Sequence, residues 1–179
     1  MGLVGQSGGE DLPEHVARNR AAWDTFAAEY VAPGERGWAL KPGEETWGIF
    51  GVPEADLGLL PEDLNGLDAI ELGCGTAYVS AWLARRGARP VGIDNSERQL
   101  ATARSLQDEH DLSFPLIHGS AEATGLPAAS FDLAISEYGA SIWCDPYAWI
   151  PEAARLLRPG GRLVFLVNSP ILMLCMADL

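Results

Sequence analysis

Lysine is nearly missing from this 179-residue chain: Lys41 stands alone among 12 basic residues, against 25 acidic ones, for a net charge of −13. So negative a field repels phosphate backbones and anionic lipid head groups, which argues against nucleic acid or a membrane surface as partner. Only Arg85, Arg86 and Arg89 gather basic charge in one place. Cysteine is also scarce. Cys74, Cys144 and Cys175 are odd in number and lack metal-ligand spacing. That argues against a disulfide framework or a bound metal, and for a reducing compartment. The first residues have neither the basic start nor the apolar centre of a signal peptide. The apolar run from Leu163 to Met176 is broken by Asn168, Ser169 and Pro170, and is too short to cross a bilayer. Together these absences predict a cytoplasmic protein.

The composition that remains is globular, 47% hydrophobic and 21% charged, in a length suited to one domain with a sizeable core. The glycine-rich residues 1–12 read as a mobile tail. From Pro13 to Tyr30 the spacing predicts a helix whose Trp23, Phe26, Ala27 and Tyr30 share a face. Residues 31–66 are rich in proline and glycine and read as a lid or an irregular packing arm, so that residues 13–66 form an N-terminal cap.

From residue 67 to residue 179 the texture is that of alternating strands and helices. Strands are predicted at 68–72, 91–93, 114–118, 131–136 and 162–167. Helices are predicted from about Thr76 to Arg86, closed by Gly87, and from the Ser96/Gln99 capping signal to about Glu109. Asp145-Pro146 opens a further helical segment, which Pro151 is expected to split into a turn and a second helix. This alternation predicts an α/β fold with a Rossmann-like, mostly parallel sheet covered by helices on both faces.

Ligands of such sheets bind beyond the carboxyl ends of the strands. Gly73 and Gly75 would bring a ligand close to the main chain there, and Asp94, 21 residues after Gly73, is placed to accept both hydroxyls of an adenosine ribose. A nicotinamide site favours a third glycine, where this chain has Tyr78. Glu71, two residues before Gly73, would repel a pyrophosphate and suits a cationic ligand end. A sulfonium compound with an ammonium group meets that demand, which ranks a nicotinamide-dependent oxidoreductase low.

Five segments in order then carry a resemblance: Glu71 to Thr76, Val91 to Ser96, Gly119 to Pro127, Ser130 to Ser136 and Leu157 to Gly161. The chain resembles the class I S-adenosylmethionine-dependent methyltransferases that act on small molecules. The resemblance implies S-adenosyl-L-methionine as cofactor, with Glu71 at its methionyl amino group and the main chain of Gly73, Cys74 and Gly75 alongside. It implies Asp94 on the ribose, Asn95 and Gln99 flanking the adenine, and Ala121, Ser120 and Glu122 at the adenine edge. Tyr30 would reach over the methionyl carboxylate, and Ser136 would border the transfer centre. Glu137, Tyr138 and Tyr30 are the candidates for a catalytic base, each read first as a binding or wall residue.

Three departures from the family pattern stand out. Ala77 replaces a common glycine, Ser120 replaces a common acid, and the chain ends where the family adds a helix and two more strands. Lacking those strands, the fifth strand is expected to leave an open sheet edge, as in a shortened gene product or a chain completed by a second subunit in a homodimer. A non-catalytic binding subunit is the alternative function that these departures suggest. Trp38, Trp47 and Trp143 are candidates for an acceptor pocket or for core packing alike. His118 reads as structural, and His15 and His110 as surface residues.

Overall fold

The computed structural model describes residues 12–175; the expected mobile tail lies outside these, except for its last residue. Helix α1 (Glu14–Phe26) runs into a tight helical turn (Ala27–Tyr30) and then α2 (Val31–Ala39). A small antiparallel hairpin follows, β1 (Thr46–Trp47) with β2 (Val52–Pro53), and a short α3 (Glu54–Leu57). The main sheet then unfolds in order: β3 (Asp68–Leu72), α4 (Tyr78–Arg85), β4 (Arg89–Asp94), α5 (Glu97–Glu109), β5 (Leu116–His118), β6 (Phe131–Glu137), α6 (Ala140–Trp143), α7 (Pro146–Leu156), β7 (Leu157–Leu166) and α8 (Pro170–Cys175).

The strands pair in parallel in the order β5-β4-β3-β6-β7. The chain leaves β3 toward β4 on one side and later returns to pair β6 on the other, so β3 and β6 flank the point where strand order reverses. Side chains alternate across the sheet with the period of two that strands impose. Ala69, Leu133 and Ile135 pack on one face with Val79, Trp82 and Leu83 of α4. Ile70, Leu72 and Ala134 pack on the other with Trp149, Ala153 and Leu156 of α7. The expected α/β sheet with helices on both faces is therefore present, and among the described residues no antiparallel strand joins it.

Three local expectations are corrected. Residues 31–39 are helical despite Pro33, Gly34 and Gly37. Pro33 lies in the first turn, where its missing N–H has no helical partner to lose. The two glycines let α2 approach the start of α4 closely: a Cβ on Gly34 would lie 2.6 Å from Thr76 Oγ1, and one on Gly37 2.7 Å from Tyr78 Cγ. Helix α7 runs unbroken through Pro151. The carbonyl that Pro151 leaves without a donor belongs to Tyr147, a residue 90% exposed, so water can take the donor's place. Strand β7 starts at Leu157 rather than 162, with a register irregularity against β6 between Phe131 and Leu133.

The amino ends of the strands are tied by charge. Arg158 meets Asp68 at 2.7 Å and Asp132 at 2.8 Å, and Arg89 meets Asp68 at 2.7 Å. The basic cluster noted in the sequence is thus structural. Arg89 pairs within the sheet, Arg85 lies over the Trp38 ring and donates to Leu40 O, and Arg86 donates to Pro61 O. The opposite, carboxyl ends of the strands are left for a ligand.

Candidate functional site

A cavity of about 360 Å³ opens at those carboxyl ends, between the β3 and β6 termini and under α1, within the size range of small-molecule sites. Its floor is the turn after β3. Gly73 has φ +73, and a Cβ there would fall 2.5 Å from Ala140 N. Across from it, a Cβ on Gly139 would fall 2.1 Å from Gly73 O. Two backbone segments therefore touch at the strand-order reversal, which only paired glycines allow. Gly139 was not visible as a site residue in the sequence, because its partner lies far away along the chain.

Asp94 closes β4. Its Oδ2 accepts from Gly75 N at 2.7 Å and its Oδ1 from Ser96 N at 2.8 Å. Burial raises its pKa, while those two N–H groups and nearby His118 oppose the rise. This arrangement also breaks the expected capping box. Ser96 Oγ accepts from Gln99 N at 3.2 Å, but the Ser96 N–H that Gln99 would bind in return already belongs to Asp94. Gln99 is therefore buried at the cavity wall with Oε1 unpartnered. An orphaned buried acceptor is costly unless a ligand supplies a donor.

Glu71, on β3, is fully buried. Its Oε2 accepts from Ser80 N at 2.8 Å and from Ser80 Oγ at 2.5 Å. Burial, helped by the neighbouring charges of Glu137 and Asp94, pushes its pKa up to about 8 against the favourable Ser80 bonds. An uncompensated carboxyl here is poised to ionise when a cation arrives. Cys74 is buried and its thiol is raised well above the ordinary range, so it offers no thiolate.

Helix α1 roofs the cavity with Val16, Asn19 and Trp23. It is held there by polar bonds: Asn19 to Trp143 O at 2.6 Å, Arg20 Nε to Asn95 Oδ1 at 2.9 Å, Asn95 Nδ2 to Val16 O at 2.8 Å, and Ser96 Oγ to Asp24 at 2.6 Å. His15, expected on the surface, meets Glu122 at 2.9 Å and so pins the roof to the rim. Glu122 also accepts from Asp145 N.

Of the residues expected at the site, Tyr30, Glu71, Gly73, Cys74, Gly75, Asp94, Asn95, Gln99, Ser120, Ala121, Glu122, Glu137 and Tyr138 all line this cavity. Ser136 does not. It is fully buried beneath it, where its hydroxyl donates to Leu72 O at 2.8 Å and accepts from Ser141 N at 3.1 Å, so it braces the β3–β6 junction. Trp38 and Trp47 are core residues: Trp38 donates to Thr76 O, and Trp47 packs edge-on against Trp82. Trp143 lines the cavity and is half exposed. His118 lies off the cavity, bonded to Asn95 O, and His110 stacks on Trp38.

Comparison with known proteins places this geometry. Residues 70–165, more than half the chain, match the family model described as methyltransferase domain. A ubiquinone biosynthesis O-methyltransferase of Roseobacter denitrificans is 31% identical over 119 residues, 66% of this chain and 48% of that protein. The chain spans less than half the length of the curated relatives it matches first. An S-adenosylmethionine-dependent methyltransferase structure from Mesorhizobium loti is 32% identical, with a TM-score of 0.56 over 66% of this chain and 55% of that one. The structure of the cyclase SpnF superposes with a TM-score of 0.65 at 26% identity, over 89% of this chain and 63% of that one. With its strand order, its glycine turn and the acid closing β4, the chain belongs to the methyltransferase domain family of class I, S-adenosylmethionine-dependent enzymes.

Proposed function

We propose that this chain transfers the methyl group of S-adenosylmethionine to a small-molecule acceptor. One observation carries the reading: Glu71 and Asp94, at adjacent strand ends flanking the glycine turn, line a single cavity. One carboxyl suits an ammonium and the other a pair of ribose hydroxyls. In this reading Gly73, Cys74 and Gly75 offer main-chain contacts to the methionyl end, and Tyr30 covers its carboxylate. Asn95, Gln99, Ser120 and Ala121 surround the adenine. Glu122 acts on the roof rather than on the adenine, through His15.

When bound, the cofactor supplies a methyl group already activated by its sulfonium. The protein's part is positioning and exclusion of water, and a base is required only for an acceptor that must lose a proton. The aromatic roof and the hairpin tip at Ile49 do the excluding. The names of the relatives support a small-molecule acceptor and an O-methyl product class. We also place the protein in the cytoplasm, away from nucleic acid, with residues 13–66 serving as the cap of the cofactor domain; no helix among the described residues is long and apolar enough to cross a membrane. A second copy would pair along β7, an edge strand among the described residues.

Calorimetric titration with S-adenosylhomocysteine tests the reading. Saturable binding is expected, weakened about 100-fold or more in Asp94→Ala, since two charge-assisted hydrogen bonds are lost. Asp94→Asn, which keeps an acceptor oxygen for only one of the Gly75 and Ser96 N–H groups, is expected to fall between, with the folding of both variants checked by their unfolding transitions. Absence of binding by folded wild-type protein would overturn the proposal.

A further inference from the structure

Among the described residues, four carboxyl side chains line the cavity, Glu71, Asp94, Glu122 and Glu137, and no lysine, arginine or histidine does. Three of them have partners or assignments: Glu71 and Asp94 belong to the methyl donor's end, and Glu122 binds His15 and Asp145 N. Glu137 is different. It closes β6, its Oε1 accepts from Gly48 N at 2.8 Å, and it makes no other hydrogen bond to the described residues. Burial raises its pKa, and its charge in turn disfavours ionisation of Glu71. A negative charge in so apolar a space is expensive until a cation faces it.

The same cavity is walled by Trp23, Tyr30 and Trp143. Trp23 sits edge-on to both others, with ring centroids 5.0 Å from Tyr30 and 5.1 Å from Trp143. Aromatic rings and a carboxylate lining one cavity are the chemistry that recognises organic ammonium groups. We propose that this end of the cavity takes a methyl acceptor carrying a cationic nitrogen on a small apolar body, its ammonium paired with Glu137 and its body among Trp23, Tyr30 and Trp143. The proposal rests on the methyltransferase reading above. An anionic acceptor would face Glu137 with no basic side chain in the described lining to offset it, and a neutral one would leave Glu137 uncompensated.

Glu137 also anchors the β1–β2 hairpin through Gly48 N, and Glu137→Gln separates the two roles. The amide oxygen still accepts from Gly48 N, whereas the charge is gone. The experiment has two steps. S-adenosylhomocysteine alone is titrated first, and failure to bind there defeats the methyltransferase reading and this proposal with it. The loaded protein is then titrated with phenethylammonium, 2-phenylethanol and phenylacetate, which share one body and differ in charge. The ammonium is expected to bind about tenfold or more tightly than the alcohol, with the carboxylate weakest. Glu137→Gln is expected to erase that preference while S-adenosylhomocysteine still binds, at least as tightly as to the wild type, because losing this charge eases the ionisation of Glu71. Equal binding of the three probes, a preference surviving in Glu137→Gln, or no measurable ammonium binding at millimolar concentration would each overturn the acceptor class and leave the donor site standing.

Discussion

Replacing Glu71 by glutamine is expected to abolish the pH dependence of S-adenosylhomocysteine binding that this carboxyl causes, weaken that binding most at pH 8 and above, and make the free protein more stable at alkaline pH. Each effect follows from a carboxyl whose pKa is about 8 in the native fold, far above its ordinary value of 4.5. Binding an ammonium requires the carboxylate, so below about pH 8 the wild type must first lose a proton. Its affinity is expected to rise up to about tenfold per unit between about pH 6 and about pH 8, then level off. The stability effect has the opposite sense. Below pH 4.5 the carboxyl is protonated in both native and unfolded chains, and it contributes no difference. As pH rises from there toward 8, the unfolded chain releases the proton while the native fold retains it, so native stability falls. The full penalty is on the order of 4–5 kcal/mol for a shift of this size. Glutamine can still accept from Ser80 but never ionises. Its melting temperature should match that of the wild type near pH 4 and exceed it by about 10 °C near pH 9. A gap that stays constant with pH would refute a buried, proton-holding Glu71.

Alanine at Gly139 should be the most damaging small substitution in the site. The added carbon would stand 2.1 Å from Gly73 O and 2.8 Å from Leu72 O, both backbone atoms that no side-chain rotation can move. Gly139 also holds φ −88 with ψ −113, outside the regions that residues bearing a Cβ favour. Either the turn after β3 or the start of α6 must retreat, and both form the cavity floor. Urea unfolding should report a loss of about 3 kcal/mol or more, and titration a loss of S-adenosylhomocysteine affinity of about 100-fold or greater. Gly43→Ala is the matched control. Gly43 has φ +93 but open space around it, so alanine there meets backbone strain alone, about 1 kcal/mol, with cofactor affinity unchanged. Equal effects at the two positions would show that the Gly73–Gly139 contact is not what shapes the site.

The strands and the residues that line the cavity beside the glycine turn were legible because their signals are local. An apolar run followed by Gly73-Cys74-Gly75, or a strand ending in Asp94, announces itself within a few residues. What escaped notice depends on distant neighbours. Pro33, Gly34 and Gly37 look like loop residues until Thr76 and Tyr78 are seen packed against the glycines. Pro151 looks like a helix breaker until the carbonyl it frees is found on Tyr147, an exposed residue. Ser96 and Gln99 did mark a helix start, yet Asp94 took the N–H that Gln99 was expected to bind. Ser136 carries a site-like hydroxyl at a strand end, but Leu72 and Ser141 occupy it below the cavity. Trp38, Trp47 and Trp143 are alike in sequence, and only packing separates the two core rings from the cavity wall.

Helix α1 buries a single residue, Val16; beyond it Trp23 packs edge-on against Tyr30 and Trp143, and Asn19, Arg20, Asp24 and His15 take part in hydrogen bonds. Each of those bonds is one that water can replace at little net expense, whereas β3 could be freed only by exposing Ile70 and Leu72. Local opening of α1 is therefore expected to require less free energy than global unfolding. Amide protons of α1 should exchange with solvent far faster than those of β3, and should slow when the cofactor is bound. Turnover would then be paced by how often a short polar helix lifts, with the hydrophobic interior of the sheet a spectator to every exchange.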